Sequence, residues 1–323
     1  MSASICRALA PASHLEVWRH NSRWLNGLRQ LGLLYRAVLG SFNPPGLIIY
    51  THVDLARVSL LPRLRTVPYA VLIYGVESWR PFDPIRRRAI EGAALTIAIS
   101  SYSARRAMEA NPWLPEPRVV WLGVEVPSLE FTAETKNVVL VGRMARVERY
   151  KGHDAVIQAW PLILDRVPSA TLTVIGDGDD RERLEQLAEG IHGVHFAGFV
   201  TDAERIRLVR SAAALLNLSR GEGFGLAAVE AASLGTPIVA LSNTVTEELF
   251  PSGVGLILLQ EEDPNAVSDA VVYLIENDQE RRRIGSEGKR RVDEMFTQSH
   301  FASRFRAALS SCVQVNPSDQ QSQ

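Results

Sequence analysis

The sequence predicts an α/β protein of two domains, built on mostly parallel β-sheets covered by helices. Three observations lead to this prediction. The chain has 323 residues, of which 46% are hydrophobic and 22% charged, which is enough to bury two ordinary cores. Short apolar runs alternate with amphipathic helical patterns, as they do in parallel sheets. A polar, turn-prone stretch, Pro127–Lys136, divides this alternation into two parts and is the predicted linker.

The second part carries the clearer alternation. Its apolar runs predict strands at Asn137–Val141, Thr171–Ile175, Val194–Ala197, Ala214–Leu216, Pro237–Ala240 and Gly255–Leu258. The segments between them have helical periodicity, at His153–Arg166, Arg181–Glu189, Asp202–Ser211 and Ala227–Ser233. In such sheets ligands bind where loops leave the carboxyl ends of the strands, so we expect a binding site at that edge.

The first part shows the same pattern more weakly. Strands are predicted at Gly46–Thr51, Tyr69–Tyr74, Leu95–Ile99 and Val119–Trp121, and helices at Pro84–Gly92 and Ser103–Ala110. Residues 1–45 contain one or two helical patterns within Val17–Gly40 but no opening strand followed by a glycine turn. The first domain is therefore predicted to be short by one strand-helix unit.

These patterns give the predicted domain boundaries. The first domain is 1–132, the second is 133–300, and 301–323 form a C-terminal helix with a polar tail. The last helices are predicted at Ala266–Glu276, Gln279–Phe296 and Gln298–Cys312, followed by a disordered tail at Gln314–Gln323. The cleft between the two domains is the expected working surface.

Composition excludes several classes of protein. Only Cys6 and Cys312 are present, which argues against a disulfide framework and against a cysteine-based metal site. No run approaches the roughly 18 apolar residues of a spanning helix, and the N-terminus lacks a signal-peptide pattern, so we expect a cytoplasmic protein. No stripe of Lys and Arg interleaved with aromatic residues points to nucleic acid.

The net charge of -1 hides an asymmetry along the chain. Residues 1–130 hold 15 Lys and Arg against 9 Asp and Glu, so this part is positive and the remainder is negative. The early cations include the run Arg86, Arg87 and Arg88. This run has two interpretations, a solvated helix face or a surface for anionic lipid headgroups and peripheral membrane contact.

The first chemical signal follows the predicted strand Asn137–Val141. That strand ends at Gly142-Arg143, and Lys151 comes eight positions later, just before the next helix. Two cations so placed can neutralise a diphosphate leaving group, because arginine contacts oxygens in pairs and lysine supplies a mobile point charge. Taken singly, each is also compatible with an ordinary surface cation.

The second signal is Ser219-Arg220-Gly221-Glu222-Gly223-Phe224-Gly225-Leu226, which runs into a helix rich in alanine. Glycines before a helix let backbone N–H groups approach a ligand, and the helix N-terminus favours phosphate oxygens. The spacing fits neither the P-loop nor the dinucleotide-binding pattern. Glu230 lies about two turns inside that helix and needs a partner, for which a ribose hydroxyl pair and a structural salt bridge stay open.

In order and spacing, these motifs resemble retaining glycosyltransferases of family 4, among the glycosyl transferases group 1. The resemblance rests on Gly142-Arg143…Lys151-Gly152, Gly176-Asp177-Gly178, Gly198-Phe199-Val200, Glu222-Gly-Phe-Gly…Glu230 and Gly235-Thr236-Pro237. It covers roughly residues 45–312 and is strongest from 137 to 242. It implies two facing Rossmann-like domains of the GT-B type, with the donor held mainly by the second.

The resemblance also implies roles for individual residues. Arg143 and Lys151 would contact the donor diphosphate, Glu222 the donor sugar and Glu230 the ribose hydroxyls. The amides of Phe224 and Gly225 would lie near the sugar and phosphates, and the loop Gly198–Val200 would flank the base. The implied donor-binding set is Gly142, Arg143, Lys151, Gly176, Gly198, Phe199, Val200, Glu222, Gly223, Phe224, Gly225, Leu226 and Glu230. Such enzymes need no metal and no further cofactor.

In the first domain, three segments look like the family's interdomain-cleft loops: Ile49–Ala56, Tyr74–Trp79 and Ile99–Ser103. The expected acceptor-side residues are His52, Tyr74, Gly75 and Glu77, with His52 counted among the catalytic candidates beside Arg143, Lys151 and Glu222. Many relatives have His-Gly where this chain has Tyr74-Gly75. An isolated histidine at a strand end is also compatible with a structural hydrogen bond.

The expected function is sugar transfer from a nucleotide-diphosphate donor, UDP- or GDP-linked, to a glycan or lipid-linked acceptor in cell-surface polysaccharide or glycolipid synthesis. Two alternatives stay open. The shortened first domain is compatible with a nucleotide-sugar-binding or scaffold protein without turnover, and a nucleotide-sugar epimerase could use the same architecture.

Overall fold

The computed structural model describes residues 46–62, 64–125 and 136–313, together with Ile5. The chain forms two compact units, one made of Met1–Gly123 with Gln298–Gln323 and the other of Val124–Thr297. Three interpretations fall outside the described residues: the helices within Val17–Gly40, the linker before Lys136 and the tail from Gln314.

The first unit contains a parallel sheet of four described strands. They are β1 (Ile48–Tyr50), β2 (Tyr69–Ile73), β3 (Leu95–Ala98) and β4 (Arg118–Val119), and they neighbour one another in chain order. A 3₁₀ helix (Leu55–Leu60), α1 (Pro84–Glu91) and α2 (Ser101–Ala110) connect them. β2 is buried along its whole length, because it lies inside the sheet and both of its faces are covered.

The second unit contains a parallel sheet of six strands. They are β5 (Asn137–Val141), β6 (Thr171–Ile175), β7 (Val194–Gly198), β8 (Ala214–Asn217), β9 (Ile238–Leu241) and β10 (Leu256–Leu259). Across the sheet they are arranged β7-β6-β5-β8-β9-β10. With the strands counted within this unit, this is the order 3-2-1-4-5-6 of a Rossmann sheet. The order reverses between β5 and β8, and that switch point is where such sheets bind ligands.

The helices of the second unit follow the strands in turn. They are α3 (His153–Arg166), α4 (Arg181–Leu187), α5 (Asp202–Ser211), α6 (Leu226–Ser233), α7 (Thr244–Leu249), α8 (Pro264–Glu276) and α9 (Asp278–Met295), with 3₁₀ helices at Arg146–Lys151 and Pro251–Gly253. The core contains Val138, Leu140, Trp160 and Val271, each no more than 2% exposed. Burying one such aliphatic side chain stabilises the fold by about 1.5–3 kcal/mol.

Two of the helix starts that differ from the prediction are explained by capping side chains. α2 begins at Ser101 rather than Ser103 because the hydroxyl of Ser100 accepts a hydrogen bond from the N–H of Ser103. α8 begins at Pro264 rather than Ala266, with Asp263 as its cap and proline in the first turn. The sequence prediction omitted α7, whose six residues are too few to show a helical period.

The last helix, α10 (Gln298–Val313), belongs to the first unit. Phe301 and Phe305 stack at 5.3 Å between ring centroids and are at most 1% exposed. The helix predicted from Gln298 is therefore present, and it packs with the unit that begins the chain. Within the part of the chain that the structure describes, no helix combines the length and apolar character needed to cross a membrane.

Candidate functional site

The two sequence signals meet at the switch point of the second sheet. Gly142 and Arg143 follow β5, and the loop 218–225 follows β8, the strand beside it. The N–H of Arg220 donates to the carbonyl of Tyr150 at 2.8 Å, which ties the loop after β8 to the loop after β5. A Cβ on Gly152 would lie 2.5 Å from the carbonyl oxygen of Leu218, so these two loops are in direct contact. The structure thus brings both signals to one edge.

Because residue 176 is a glycine, the backbones at the ends of the neighbouring strands β5 and β6 can approach each other closely. Gly176 has a φ of +136°, and a Cβ there would lie 2.0 Å from the carbonyl oxygen of Gly142. Its N–H donates to the carbonyl of Gly198 at 3.0 Å. The three predicted glycines 142, 176 and 198 therefore lie side by side at the ends of β5, β6 and β7, where the strand ends pack backbone against backbone.

Arg143 and Lys151 share one carboxylate, that of Glu148. Arg143 Nε donates to Glu148 Oε2 at 2.9 Å, and its Nη2 contacts Oε1. Lys151 Nζ lies 3.7 Å from the same Oε2. The Glu148 side chain is 6% exposed, whereas that of Arg143 is 65% exposed. Burial would raise the pKa of Glu148, but the hydrogen bond from Arg143 and the charge of Lys151 outweigh it and lower that pKa.

Sequence reasoning missed Glu148. It lies between Arg146 and Arg149 in a run that looks like a solvated surface. A usable signal was present, since it is the acidic residue between the two cations that form the first motif. It is the buried residue of the 3₁₀ helix Arg146–Lys151, and its own backbone departs from helical geometry, with φ −119° and ψ 27°.

Glu222 lies in the loop after β8, next to these cations. Burial raises its pKa, while the charge of Lys151 and a hydrogen bond from Asn217 act in the opposite direction. Its Oε2 would be 3.3 Å from a Cβ on Gly225, so the carboxylate leans towards the start of α6. A carboxylate with a raised pKa beside a lysine is a common arrangement in binding and catalytic sites.

Glu230 has the structural partner that the sequence left open. Its Oε2 pairs with Nη1 of Arg205, which comes from α5. Burial raises the pKa of Glu230, and the charge and hydrogen bond of Arg205 counteract this. The ion pair is present in this structure without a ligand, and the expected contact with ribose hydroxyls stays a prediction.

The two helices that follow the site loops begin without a side-chain cap. α3 starts after Gly152 and α6 after Gly225, both in the left-handed region at φ values of +79° and +72°. In the same unit Thr201, Asn243 and Asp263 cap α5, α7 and α8 with their side chains, whereas α4 and α9 also lack a side-chain cap. The first N–H groups of α3 and α6 are therefore left for another acceptor, and phosphate oxygens are suited to that position.

The remaining donor-side residues divide into buried and exposed ones. Phe224 is 3% exposed and packs edge-on against Phe296 at 6.1 Å, so only its backbone is available to a ligand. Phe199 follows β7 and is 79% exposed, and Leu226 is 42% exposed at the start of α6. Val200 is partly buried beside Phe199, and Gly223 lies in the same loop as Glu222.

His153 is a residue at this edge that the sequence prediction did not assign. It is the first residue of α3, is 4% exposed, and its Nε2 has no hydrogen-bond partner. A Cβ on Gly142 would lie 3.4 Å from its ring. Burial, together with the charge of Lys151, lowers the pKa of His153 to about 4, so the ring is neutral at pH 7.

In the first unit, the predicted acceptor-side residues have local partners. Nδ1 of His52 accepts a hydrogen bond from the N–H of Asp54 at 3.2 Å, and the side chain is 42% exposed. The carboxylate of Glu77 accepts from the N–H groups of Tyr74 and Gly75, each at 3.0 Å. Burial, helped by the charge of Glu77, raises the pKa of Tyr74 above its ordinary range. These four residues shape two turns after β1 and β2.

Two of the three arginines in the run on α1 are paired with carboxylates. Arg86 lies 2.6 Å from Asp54, and Arg87 lies 2.7 Å from Glu91. These contacts favour the interpretation of a solvated helix face. Over the described ranges, no three or more His, Cys, Asp or Glu side chains are grouped so as to hold a metal ion. Independence from metal stays a prediction.

Comparison with known proteins is most informative for the second unit. Residues 135–277 match the family model described as Glycosyl transferases group 1. Over this stretch the chain is similar to the glycosyltransferases of that group. A phosphatidyl-myo-inositol mannosyltransferase of Mycobacterium leprae is 31% identical over 211 residues, which are 61% of this chain and 54% of that protein.

A GDP-mannose-dependent alpha-(1-6)-phosphatidylinositol dimannoside mannosyltransferase of Mycobacterium tuberculosis is 30% identical over 176 residues, 54% of this chain and 45% of that protein. The chain spans about half the length of the curated relatives that it matches. The glycosyltransferase class predicted from the sequence is thus confirmed for this domain.

The structure of Anabaena Alr3699/HepE in complex with UDP and glucose is similar to this one, with a TM-score of 0.71 at 22% identity. The similarity covers 90% of this chain and 84% of that chain. It confirms the predicted fold, with two parallel-sheet α/β units of the GT-B type.

Proposed function

We propose that this protein is a retaining glycosyltransferase of family 4 that moves a sugar from a nucleotide-diphosphate donor to a glycan or lipid-linked acceptor. One observation carries the proposal. Arg143 and Lys151 lie at the switch point of a Rossmann sheet, next to two helix N-termini without side-chain caps. This arrangement suits a diphosphate, and it lies within the group 1 match.

Each set of residues in the donor site would bind one part of the ligand. Arg143, Lys151 and the first N–H groups of α6 would bind the diphosphate. Glu222 would contact the sugar and Glu230 the ribose, with Arg205 holding the carboxylate of Glu230 in place. The loop Gly198–Val200 would flank the base, with the exposed Phe199 at its rim.

The reaction follows from this placement. The bond between the anomeric carbon and the diphosphate oxygen breaks, and a bond from the acceptor hydroxyl oxygen to the same carbon forms. Negative charge grows on the departing diphosphate, where Arg143 and Lys151 stabilise it. The acceptor proton passes to an oxygen of that diphosphate, so no side-chain base and no metal are needed. The sugar keeps its anomeric configuration when donor and acceptor bonds share one face.

The acceptor is the least constrained part of the proposal. The similar mannosyltransferases are named for phosphatidylinositol acceptors, which supports a lipid-linked or glycan hydroxyl. UDP in one similar structure and GDP-mannose in one relative's name leave both bases as donor candidates. His52, Tyr74, Gly75 and Glu77 are the residues we expect on the acceptor side, and peripheral membrane contact through the arginine-rich first unit stays part of the proposal.

A binding experiment tests the donor site. We expect UDP, GDP or ADP, alone or as a sugar conjugate, to raise the unfolding midpoint, because a ligand of the folded state stabilises it by mass action. For the nucleotide that binds, the double variant Arg143→Ala with Lys151→Ala should lose roughly 100-fold or more in affinity by calorimetry, since each charge-assisted contact contributes about 1.5–3 kcal/mol.

The matched control is Arg207→Ala with Lys289→Ala, which also removes one arginine and one lysine from the second unit. Both of these side chains form ion pairs on exposed helix faces, with Glu204 and Asp293. The control should bind as the unaltered protein does. If no nucleotide binds, or if the first double variant retains full affinity, the proposed donor site is wrong. If the donor site is confirmed, nuclear magnetic resonance of the product would test whether the sugar keeps its anomeric configuration.

A further inference from the structure

We propose that Glu148 is a positioning residue that holds Arg143 and Lys151 ready for the diphosphate. This inference rests on the proposed function, since it assigns a role to a residue behind the two cations of that donor site. Its basis is geometric: one buried carboxylate contacts both cations, through Oε1 and Oε2 for Arg143 and through Oε2 for Lys151.

The first step concerns the orientation of Arg143. Most of this side chain is exposed, so an untethered guanidinium would sample many rotamers and lose that freedom when a ligand fixes it. Glu148 engages the Nε and Nη2 edge of the guanidinium. The Nη1 side is left for phosphate oxygens, already oriented before the donor arrives.

The second step concerns repulsion between the cations. Two positive charges aimed at one site repel each other, and Lys151 is partly buried, where screening by water is weaker. The carboxylate between them offsets this repulsion in the absence of a ligand. A bound diphosphate brings its own negative charge, so Glu148 contributes by organising the site beforehand. Its removal should therefore weaken binding of the second phosphate.

A neighbouring buried carboxylate provides the matched control. Asp180 is 3% exposed and receives hydrogen bonds from Arg149 and Arg183, so it also holds two cations. Neither of these arginines belongs to the proposed donor contacts. Asp180→Asn thus removes a buried charge of the same kind, with the loss of stability that such a change brings, without releasing Arg143 or Lys151.

The experiment compares a nucleoside diphosphate with its monophosphate, and adds inorganic pyrophosphate as a probe without a base. UDP with UMP, or GDP with GMP, is used according to which diphosphate the unaltered protein binds. Glu148→Gln should weaken the diphosphate and pyrophosphate about tenfold, the size of one charge-assisted hydrogen bond, and leave the monophosphate unchanged. Asp180→Asn should leave the ratio of the two affinities unchanged although it lowers the unfolding midpoint.

A second variant keeps the test decisive if Glu148→Gln does not fold. Glu148→Asp retains the charge on a shorter side chain, and its affinity for the diphosphate should fall between those of the unaltered protein and the glutamine variant. Equal or tighter binding of the diphosphate by both variants would overturn the inference, because Glu148 would then be a competing anion or a stability residue. Failure of the unaltered protein to bind any diphosphate or pyrophosphate would instead overturn the proposed function.

Discussion

The predicted polar residues of the two units have different kinds of hydrogen-bond and ion-pair partners. In the first unit, His52 and Glu77 make hydrogen bonds to backbone groups two or three residues away. In the second unit, Glu148 joins Arg143 to Lys151, and Glu230 pairs with Arg205 from another helix. Residues that shape a turn bind backbone groups, whereas these carboxylates bind charged side chains, and Glu230 and Arg205 come from helices that follow different strands. The second pattern is typical of a binding site.

Gly176 of the second unit and Gly75 of the first differ in how closely their neighbours approach. Gly176 has a positive φ and touches the backbone of the neighbouring strand end, whereas Gly75 has its nearest neighbours at 3.8 and 3.9 Å. The first glycine is required by the geometry of the site edge. The second has room for a side chain.

The largest expected effect comes from adding one methyl group at these two glycines. Gly176→Ala should destabilise the protein by roughly 3 kcal/mol or more and abolish nucleotide binding, because its Cβ would overlap a carbonyl oxygen and its φ disfavours alanine. Gly75→Ala should change stability by less than about 1 kcal/mol, as expected for a site without such features. Urea unfolding and calorimetric titration measure both. Equal losses in the two variants would remove the contrast between the units.

An effect of intermediate size on stability is expected when the pH is lowered, because His153 is buried in its neutral form. Its pKa in the folded protein is lowered to about 4, against an ordinary value of 6.5. Between these values the unfolded chain binds a proton that the folded protein does not bind, so stability falls as the pH decreases through this window. From pH 7 to pH 5 the loss from this residue is about 2 kcal/mol.

The variant His153→Asn isolates this contribution. Between pH 7 and pH 5 we expect the free energy of unfolding of this variant to decrease by about 2 kcal/mol less than that of the unaltered protein. Both are measured by urea unfolding at each pH, so that other titrating groups cancel in the difference. Parallel pH profiles for the two proteins would show that His153 is not buried as a neutral ring.

The smallest effect is expected at His52. His52→Ala removes one hydrogen bond to an exposed turn, which should cost no more than about 1 kcal/mol of stability, and nucleoside diphosphate affinity should not change. Thermal unfolding and titration with the nucleotide that binds provide both values. Loss of nucleotide affinity in this variant would place His52 in the donor site and would weaken the distinction between the two units.

Much of the fold could be predicted because local sequence signals coincide with it. β5 and β6 have the predicted limits to the residue, since polar or glycine residues bound each apolar run. The donor loops could be predicted because glycine spacing reflects backbone geometry at single positions. α7 could not, because its start depends on the Asn243 cap more than on periodicity.

Side-chain partners were harder to predict than backbone elements. Arg205 and Glu230 are 25 positions apart, and nothing in either helix specifies the other. The burial of Glu148 depends on the 3₁₀ helix that follows β5 and contains this residue. Likewise, an apolar helix face at Gln298–Val313 indicates that the helix packs on a sheet but does not say which one.

The return of α10 to the first unit bears on how the protein is made. Ribosomal synthesis completes residues 124–297, which contain every strand of the second sheet, before Phe301 and Phe305 exist. The core of the second unit therefore needs no residue that is synthesised after Thr297. The first unit lacks two buried aromatic side chains until the end, each of which is worth about 3–5 kcal/mol when truncated to alanine. The first unit thus reaches its full stability only after all of the second unit has been synthesised.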